Sequence, residues 1–234
     1  MTLPWLPVGG PKGQAAPSVR PLRDTEERGC LQQPPAGGGV TGFILAGGRS
    51  SRMGREKALL PVGDQRLIEL VIQRVRPAVE RLIIIGGAHN APPLHALPAD
   101  AVLLDLKPDH GPLMGVYTGL MHTQTRLNLF VPCDMPWIDA RLVERLLRAC
   151  RGDVEAVASL HPPEKVQPFP LICHVRACRA IGALLDRGER SLQSLLHQQR
   201  TQLVKIEEPG LCHSFTNVNT LADYANLTEA AIAP

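Results

Sequence analysis

The chain has 234 residues, enough for one domain or at most two, with 44% hydrophobic and 20% charged residues, the balance of a globular protein with a sizeable core. Its net charge of +3 is small and its aromatic share of 3% is low, so extended aromatic stacking faces for single-stranded nucleic acid are excluded. No run reaches the ~18 to 20 apolar residues that a membrane helix requires, and neither a membrane nor a nucleic-acid partner is expected.

Residues 1–39 are rich in Pro and Gly and carry no apolar periodicity, which predicts a disordered, non-catalytic extension ahead of one domain over 40–234. From Val40 onward short apolar runs alternate with amphipathic stretches. Val40 to Ala46 reads as a buried strand, followed by a glycine loop to Gly54 and a helix around Leu67 to Val75. Leu82 to Ile85, Ala101 to Leu104 and Asn128 to Val131 are three more strands, with a helix at Gly115 to Met121 between the last two. Asp139 to Cys150 is a helix, for which Asp139 is the natural cap. Val154 to Leu160 and Pro170 to His174 read as strands, Val175 to Leu185 and Ser191 to Gln199 as helices. Apolar strands alternating with helices predict a three-layer α/β/α sandwich, Rossmann-like and mostly parallel. In such sheets ligands bind beyond the carboxyl ends of the strands, which puts the loops Gly47 to Gly54, Asp105 to Gly111 and Cys133 to Pro136 on one rim.

The first of these loops, Leu45-Ala46-Gly47-Gly48-Arg49-Ser50-Ser51-Arg52-Met53-Gly54-Arg55-Glu56-Lys57, joins glycines that let backbone N–H groups approach an anion with the cations Arg52 and Lys57. No Lys follows Gly54 directly, so it is not a Walker A loop, and it lacks the GxGxxG dinucleotide fingerprint. Asp134 follows an apolar strand between Pro132 and Pro136, a stiff place for a carboxylate that holds a hard cation. The six cysteines are irregularly spaced without a CxxC pair, so buried free thiols in a reducing cytoplasm are expected in preference to a metal site at Cys173, His174, Cys178, Cys212 and His213.

The segment LAGGRSSRMGREKALLPVG resembles the signature of the molybdenum cofactor guanylyltransferases, nucleotidyltransferases with a glycosyltransferase-A-like fold. Three further segments resemble that family's in the same order, namely Gly111-Pro112-Leu113-Met114-Gly115, Pro132-Cys133-Asp134-Met135-Pro136 and Asn217-Val218-Asn219-Thr220. The resemblance, which runs from about Val40 to Leu227, implies transfer of GMP from GTP to the phosphate of molybdopterin-bound molybdenum cofactor, with Mg²⁺ as cofactor and pyrophosphate as product. It implies catalytic roles for Lys57, Asp134 and Arg52, and metal binding by Asp134. Nucleotide binding falls to Leu45, Ala46, Gly47, Gly48, Lys57, Asp105 and Asp134, and acceptor binding to Gln167, Pro168, Arg190, Asn217 and Asn219.

For Asp105 a surface-loop Asp is the competing reading, and Gly86 stands where the family pattern places an Asn near guanine, leaving Asn90 or backbone groups to substitute. The acceptor phosphate is already anionic and needs no strong general base, so none of the eight histidines is assigned to catalysis. Transient contact with molybdoenzymes or their chaperones is a further implication. A cytidylyltransferase or sugar-phosphate nucleotidyltransferase would share these loops. A non-catalytic cofactor-binding chaperone would have less need of Lys57 and Asp134.

Overall fold

Each continuous apolar run forms a strand of one sheet, because a strand covered on both faces must be apolar on both. The computed structural model describes residues 37–47, 56–87, 91–107, 110–161, 163–198 and 200–232. In chain order the elements are β1 (Gly37–Leu45), β2 (Pro61–Val62), β3 (Gln65–Arg66), α1 (Leu67–Val75), β4 (Arg81–Gly86), α2 (Ala91–Leu94), β5 (Ala101–Leu104), α3 (Pro112–His122) and β6 (Thr125–Pro132). There follow α4 (Ala140–Ala149), β7 (Ala156–His161), β8 (Lys165–His174), α5 (Ala177–Asp186), α6 (Leu192–Leu196), β9 (Thr201–Lys205), α7 (Pro209–Cys212) and α8 (Leu221–Ile232).

The seven long strands lie in the order β5-β4-β1-β6-β8-β7-β9, and β2 and β3 form a separate small hairpin. Strands β5, β4, β1 and β6 run parallel, β8 runs antiparallel to β6 and to β7, and β9 is parallel to β7. The winding moves outward from β1 through β4 to β5 and then returns to β6 on the other side of β1, which opens a crevice at the carboxyl ends of these strands.

Alternation along the strands divides the core. Ile44, Leu82, Ile84, Leu129 and Val131 face α1 and α4, while Phe43, Ile83, Ile85 and Phe130 face α3, α5 and α6. Helix α1 packs through Ile68, Val71, Ile72 and Val75, the stripe that its spacing predicts. Helix α4 begins where expected, since Asp139 Oδ1 accepts from Arg141 N at 2.8 Å. On the other face Phe43 and Phe130 stack at 4.9 Å, and Gly119 of α3 lies directly against them. Helix α8 and the β2–β3 hairpin share a third small core of Leu60, Val62, Leu67, Val218 and Leu227.

Several expected boundaries shift. Strand β1 begins at Gly37, three residues into the segment assigned to the extension, because the Gly37 backbone pairs with Thr125. Residues 1–36 lie outside the described residues. Strand β8 begins at Lys165, before Pro168 and Pro170, and pairs there with β7 across a register shift between Val157 and Ser159. Helix α6 is shorter than the stretch Ser191 to Gln199 and ends at Leu196.

Candidate active site

The strand ends at the crevice are fixed to one another by backbone hydrogen bonds. Ala46 N donates to Ile85 O (2.8 Å), Asp105 N to Gly86 O (2.9 Å) and Cys133 N to Leu45 O (3.1 Å), so the three rim loops leave the sheet in a fixed register. Between them lies a cleft of about 210 Å³ whose walls are mainly apolar, with Leu45, Ile85 and Phe169 as walls, Gly47 at the edge and, among the described residues, one carboxylate, Asp105. A methyl added at Gly47 would meet nothing within 4 Å among the described residues.

Asp105 is half-buried. Its Oδ1 accepts from Thr118 Oγ1 at 2.8 Å, and that hydroxyl in turn accepts from Leu106 N at 3.2 Å. Burial pushes the Asp105 carboxyl above its ordinary range, against the opposing pull of the Thr118 hydroxyl and the backbone N–H groups of Lys107 and Leu106.

The mouth of the cleft is closed by Gly111, the residue before α3. It has φ +79°, and a Cβ there would come within 2.7 Å of Arg190 O. The same carbonyl accepts from Leu113 N at 3.3 Å, satisfying one free N–H at the start of the helix. The turn that carries Arg190 is therefore pinned to the cleft mouth, with the Arg190 side chain exposed.

At the edge of the crevice next to β6, Lys57 Nζ donates to Asp134 Oδ2 (2.7 Å) and to Asn219 Oδ1 (2.9 Å). The Lys57 and Asp134 side chains are only 16% and 18% exposed, so this pair is far less screened than a surface ion pair. The Asp134 turn is tied to the C-terminal segment, since Val218 N donates to Asp134 O at 3.0 Å and the Val218 side chain is fully buried. Asn219 is held by Asp223, whose Oδ2 accepts from the backbone N–H groups of Asn219 and Thr220, each at 2.8 Å.

The other oxygen, Asp134 Oδ1, is buried without a hydrogen-bond partner among the described residues. An orphaned carboxylate oxygen in that position suits a hard divalent cation. Among the described residues no group of three or more His, Cys, Asp or Glu gathers there, so a cation on Asp134 would take its remaining ligands from phosphates and water. The neighbouring Cys133 thiol is buried, and burial together with the Asp134 charge pushes it up to about 12.

Of the residues expected at the site, Leu45, Gly47 and Asp105 line the cleft and Ala46 is buried at its rim. Lys57, Asp134 and Asn219 come together although 162 residues separate the outer two. Gln167 and Pro168 lie half-buried on β8 beside Phe169, and Asn217 is exposed ahead of Val218. Gly48, Arg52 and Asn90 lie outside the described residues. Ile85, Thr118 and Asp223 were not anticipated, and Phe169, next to the acceptor-side residues Gln167 and Pro168, lines the same cleft. Only Ile85 left a signal, as the last apolar residue of a strand ending at the rim.

A family profile described as the MobA-like NTP transferase domain matches residues 42–203. The chain belongs to this family. Among curated MobA-like relatives, the molybdenum cofactor guanylyltransferase of Vibrio parahaemolyticus is 34% identical over 183 residues, covering 78% of this chain and 91% of that protein. The Yersinia pestis protein of the same name is 34% identical over 186 residues, 79% of this chain and 92% of its own. In structure, the molybdopterin-guanine dinucleotide biosynthesis protein A of Archaeoglobus fulgidus superposes with a TM-score of 0.66 at 22% identity, over 81% of this chain and 97% of that one. Rv0371c of Mycobacterium tuberculosis, solved as a manganese complex, superposes at 0.61 with 20% identity, over 82% of this chain and 99% of that one. The profile ends at residue 203, before Val218 and Asn219, although these residues complete the Lys57–Asp134 cluster.

Proposed function

We propose that this MobA-like nucleotidyltransferase transfers the GMP group of GTP to the terminal phosphate of molybdopterin-bound molybdenum cofactor and releases pyrophosphate, with Mg²⁺ as its cation, in the cytoplasm. The reading is supported by the names of the relatives at 34% identity. The structural observation that carries it is the pairing on one rim of a carboxylate-lined apolar cleft with a Lys–Asp pair that keeps one carboxylate oxygen unpartnered.

The cleft is suited to guanine on chemical grounds. A carboxylate only accepts hydrogen bonds, and of the four common bases guanine alone presents two adjacent donors, N1–H and the 2-amino group, on its pairing edge. Asp105 therefore favours guanine over cytosine, whose 4-amino donor neighbours an acceptor. Leu45, Ile85 and Phe169 supply apolar walls for the ring.

Lys57 is assigned to the triphosphate, as are the N–H groups of the glycine loop, whose residues 48–55 lie outside the described residues. A divalent ion on Asp134, when bound, neutralises phosphate charge as pyrophosphate departs. An oxygen of the acceptor phosphate forms the new bond to the α-phosphorus while the bond to the β-phosphate bridging oxygen breaks. That acceptor is already an anion, so the protein positions it and withdraws no proton. Arg190 at the cleft mouth, Gln167 and Pro168 on β8, and Asn217 on the C-terminal segment are assigned to the acceptor side, and Arg52 to the phosphates. A product destined for molybdoenzymes implies transient contact with them or with their chaperones.

The test is incubation with each nucleoside triphosphate, Mg²⁺ and molybdopterin, with pyrophosphate release as readout. GTP should be the preferred donor. A preference for CTP would overturn the assignment of the base.

A further inference from the structure

We infer that Lys57 acts as an internal competitor of the divalent cation, suppressing cation binding at Asp134 as long as no nucleotide is bound. The inference rests on the reading of Asp134 as the cation ligand. The ammonium of Lys57 sits 2.7 Å from Asp134 Oδ2, while Oδ1 of the same carboxylate is the oxygen left without a partner. A cation on Oδ1 would lie within the width of one carboxyl group of a positive charge already bound to it. Both side chains are less than one-fifth exposed, so solvent screens little of the repulsion.

Asn219 gives the arrangement two positions. Its Oδ1 accepts from Lys57 at 2.9 Å, so the ammonium keeps a neutral acceptor when its bond to Asp134 loosens. The backbone that carries this amide is held in place, since the Asn219 and Thr220 N–H groups are bonded to Asp223 and the neighbouring Val218 is fully buried. A triphosphate is both an alternative partner for Lys57 and a set of oxygen ligands for the cation, so its arrival resolves the competition in one event. Without nucleotide the carboxylate is neutralised by a charge that the chain itself provides, which spares it from being a buried unpaired anion.

The test measures binding of Mn²⁺ alone to nucleotide-free protein, through loss of the electron paramagnetic resonance signal of free Mn²⁺. The wild-type protein should bind weakly. Lys57→Gln and Lys57→Met remove the charge and should each tighten binding at least tenfold, while Lys57→Arg, which keeps it, should stay close to wild type. Two neutral variants guard against misfolding of either, with melting temperature as the check. Neutral variants that bind Mn²⁺ no more tightly than wild type, while Asp134→Asn abolishes binding, would overturn the competition. Tight Mn²⁺ binding by Lys57→Gln that persists when Asp134→Asn is added would instead overturn the cation assignment on which it rests.

Discussion

If Asp105 reads guanine, its replacement by Asn should weaken discrimination between nucleotides that differ only at the 2-amino group. Asp105 lines the cleft, and its Oδ1 is engaged by Thr118 at 2.8 Å, so Asp105→Asn keeps the shape and one acceptor while turning an –NH2 toward the base. One of two charge-assisted bonds to guanine is lost, a penalty of about 1.5–3 kcal/mol, or roughly 10- to 150-fold in kcat/KM for GTP. Inosine triphosphate lacks the 2-amino donor, so the wild-type protein should prefer GTP over it by at least about tenfold, and the variant should bring that ratio close to one. The comparison of two nucleotides on two proteins cancels any general loss of activity. The preference should also depend on pH. Burial raises the Asp105 carboxyl above its ordinary value, and only its ionised form accepts both bonds, so discrimination holds above the raised value and fades as pH falls through it. Measuring kcat/KM for both nucleotides from mildly acidic to neutral pH checks both points. An unchanged GTP-to-ITP ratio in Asp105→Asn would place the base elsewhere.

Lys57→Ala should weaken all nucleoside triphosphates alike by about 1.5–3 kcal/mol, leaving the GTP-to-CTP ratio intact in competition assays. Gly47→Ala should fold normally, since its methyl meets no described residue, and if the base lies against that backbone it should lower kcat/KM for GTP more than for CTP. Gly119→Ala drives a methyl to 2.5 Å from Phe130 Cε1, whose ring is already stacked on Phe43, and should cost about 1–3 kcal/mol, read by calorimetry as a melting temperature lower by about 3–10 °C. Leu227→Ala empties part of the core under α8 and should cost about 2–3 kcal/mol in a denaturant titration, with a raised KM for GTP because Asn219 is anchored through the same segment.

The central fold was legible because its strands are buried on both faces. Runs such as Leu82 to Ile85 have no polar residue to confuse, and α1 and α4 carry apolar stripes with clear starts. Strand β9 was missed for the opposite reason. Thr201 to Lys205 lies at the sheet edge, largely exposed, so its residues follow no burial pattern. Helix α8 was missed because alanines and polar residues fill most of it, and its packing rests on Tyr224 and Leu227. At the candidate site, Lys57 and Asp134 stood out because each lies in a short, distinctive segment. Their direct contact spans 77 positions and is a property of the folded sheet. Asn219 was expected on the acceptor side, and the structure joins it to Lys57, a pairing that depends on α8 docking on the β2–β3 hairpin. Thr118 reads in sequence as an ordinary helix residue, and only the fold brings its hydroxyl to Asp105, across the cleft that Phe169 helps to line.

The thiol of Cys133 bears on which metals this protein can use. A cysteine next to a carboxylate proposed to hold a metal would ordinarily invite zinc or copper, because a thiolate outcompetes oxygen ligands for softer ions. Here the thiol is buried, and burial together with the neighbouring Asp134 charge pushes it up to about 12, which disfavours the thiolate. The sulfur thus serves as an apolar wall behind the Asp134 turn. If Asp134 holds a cation as proposed, a thiol kept protonated in the core leaves that cation to oxygen ligands, the set that hard ions favour over softer transition metals.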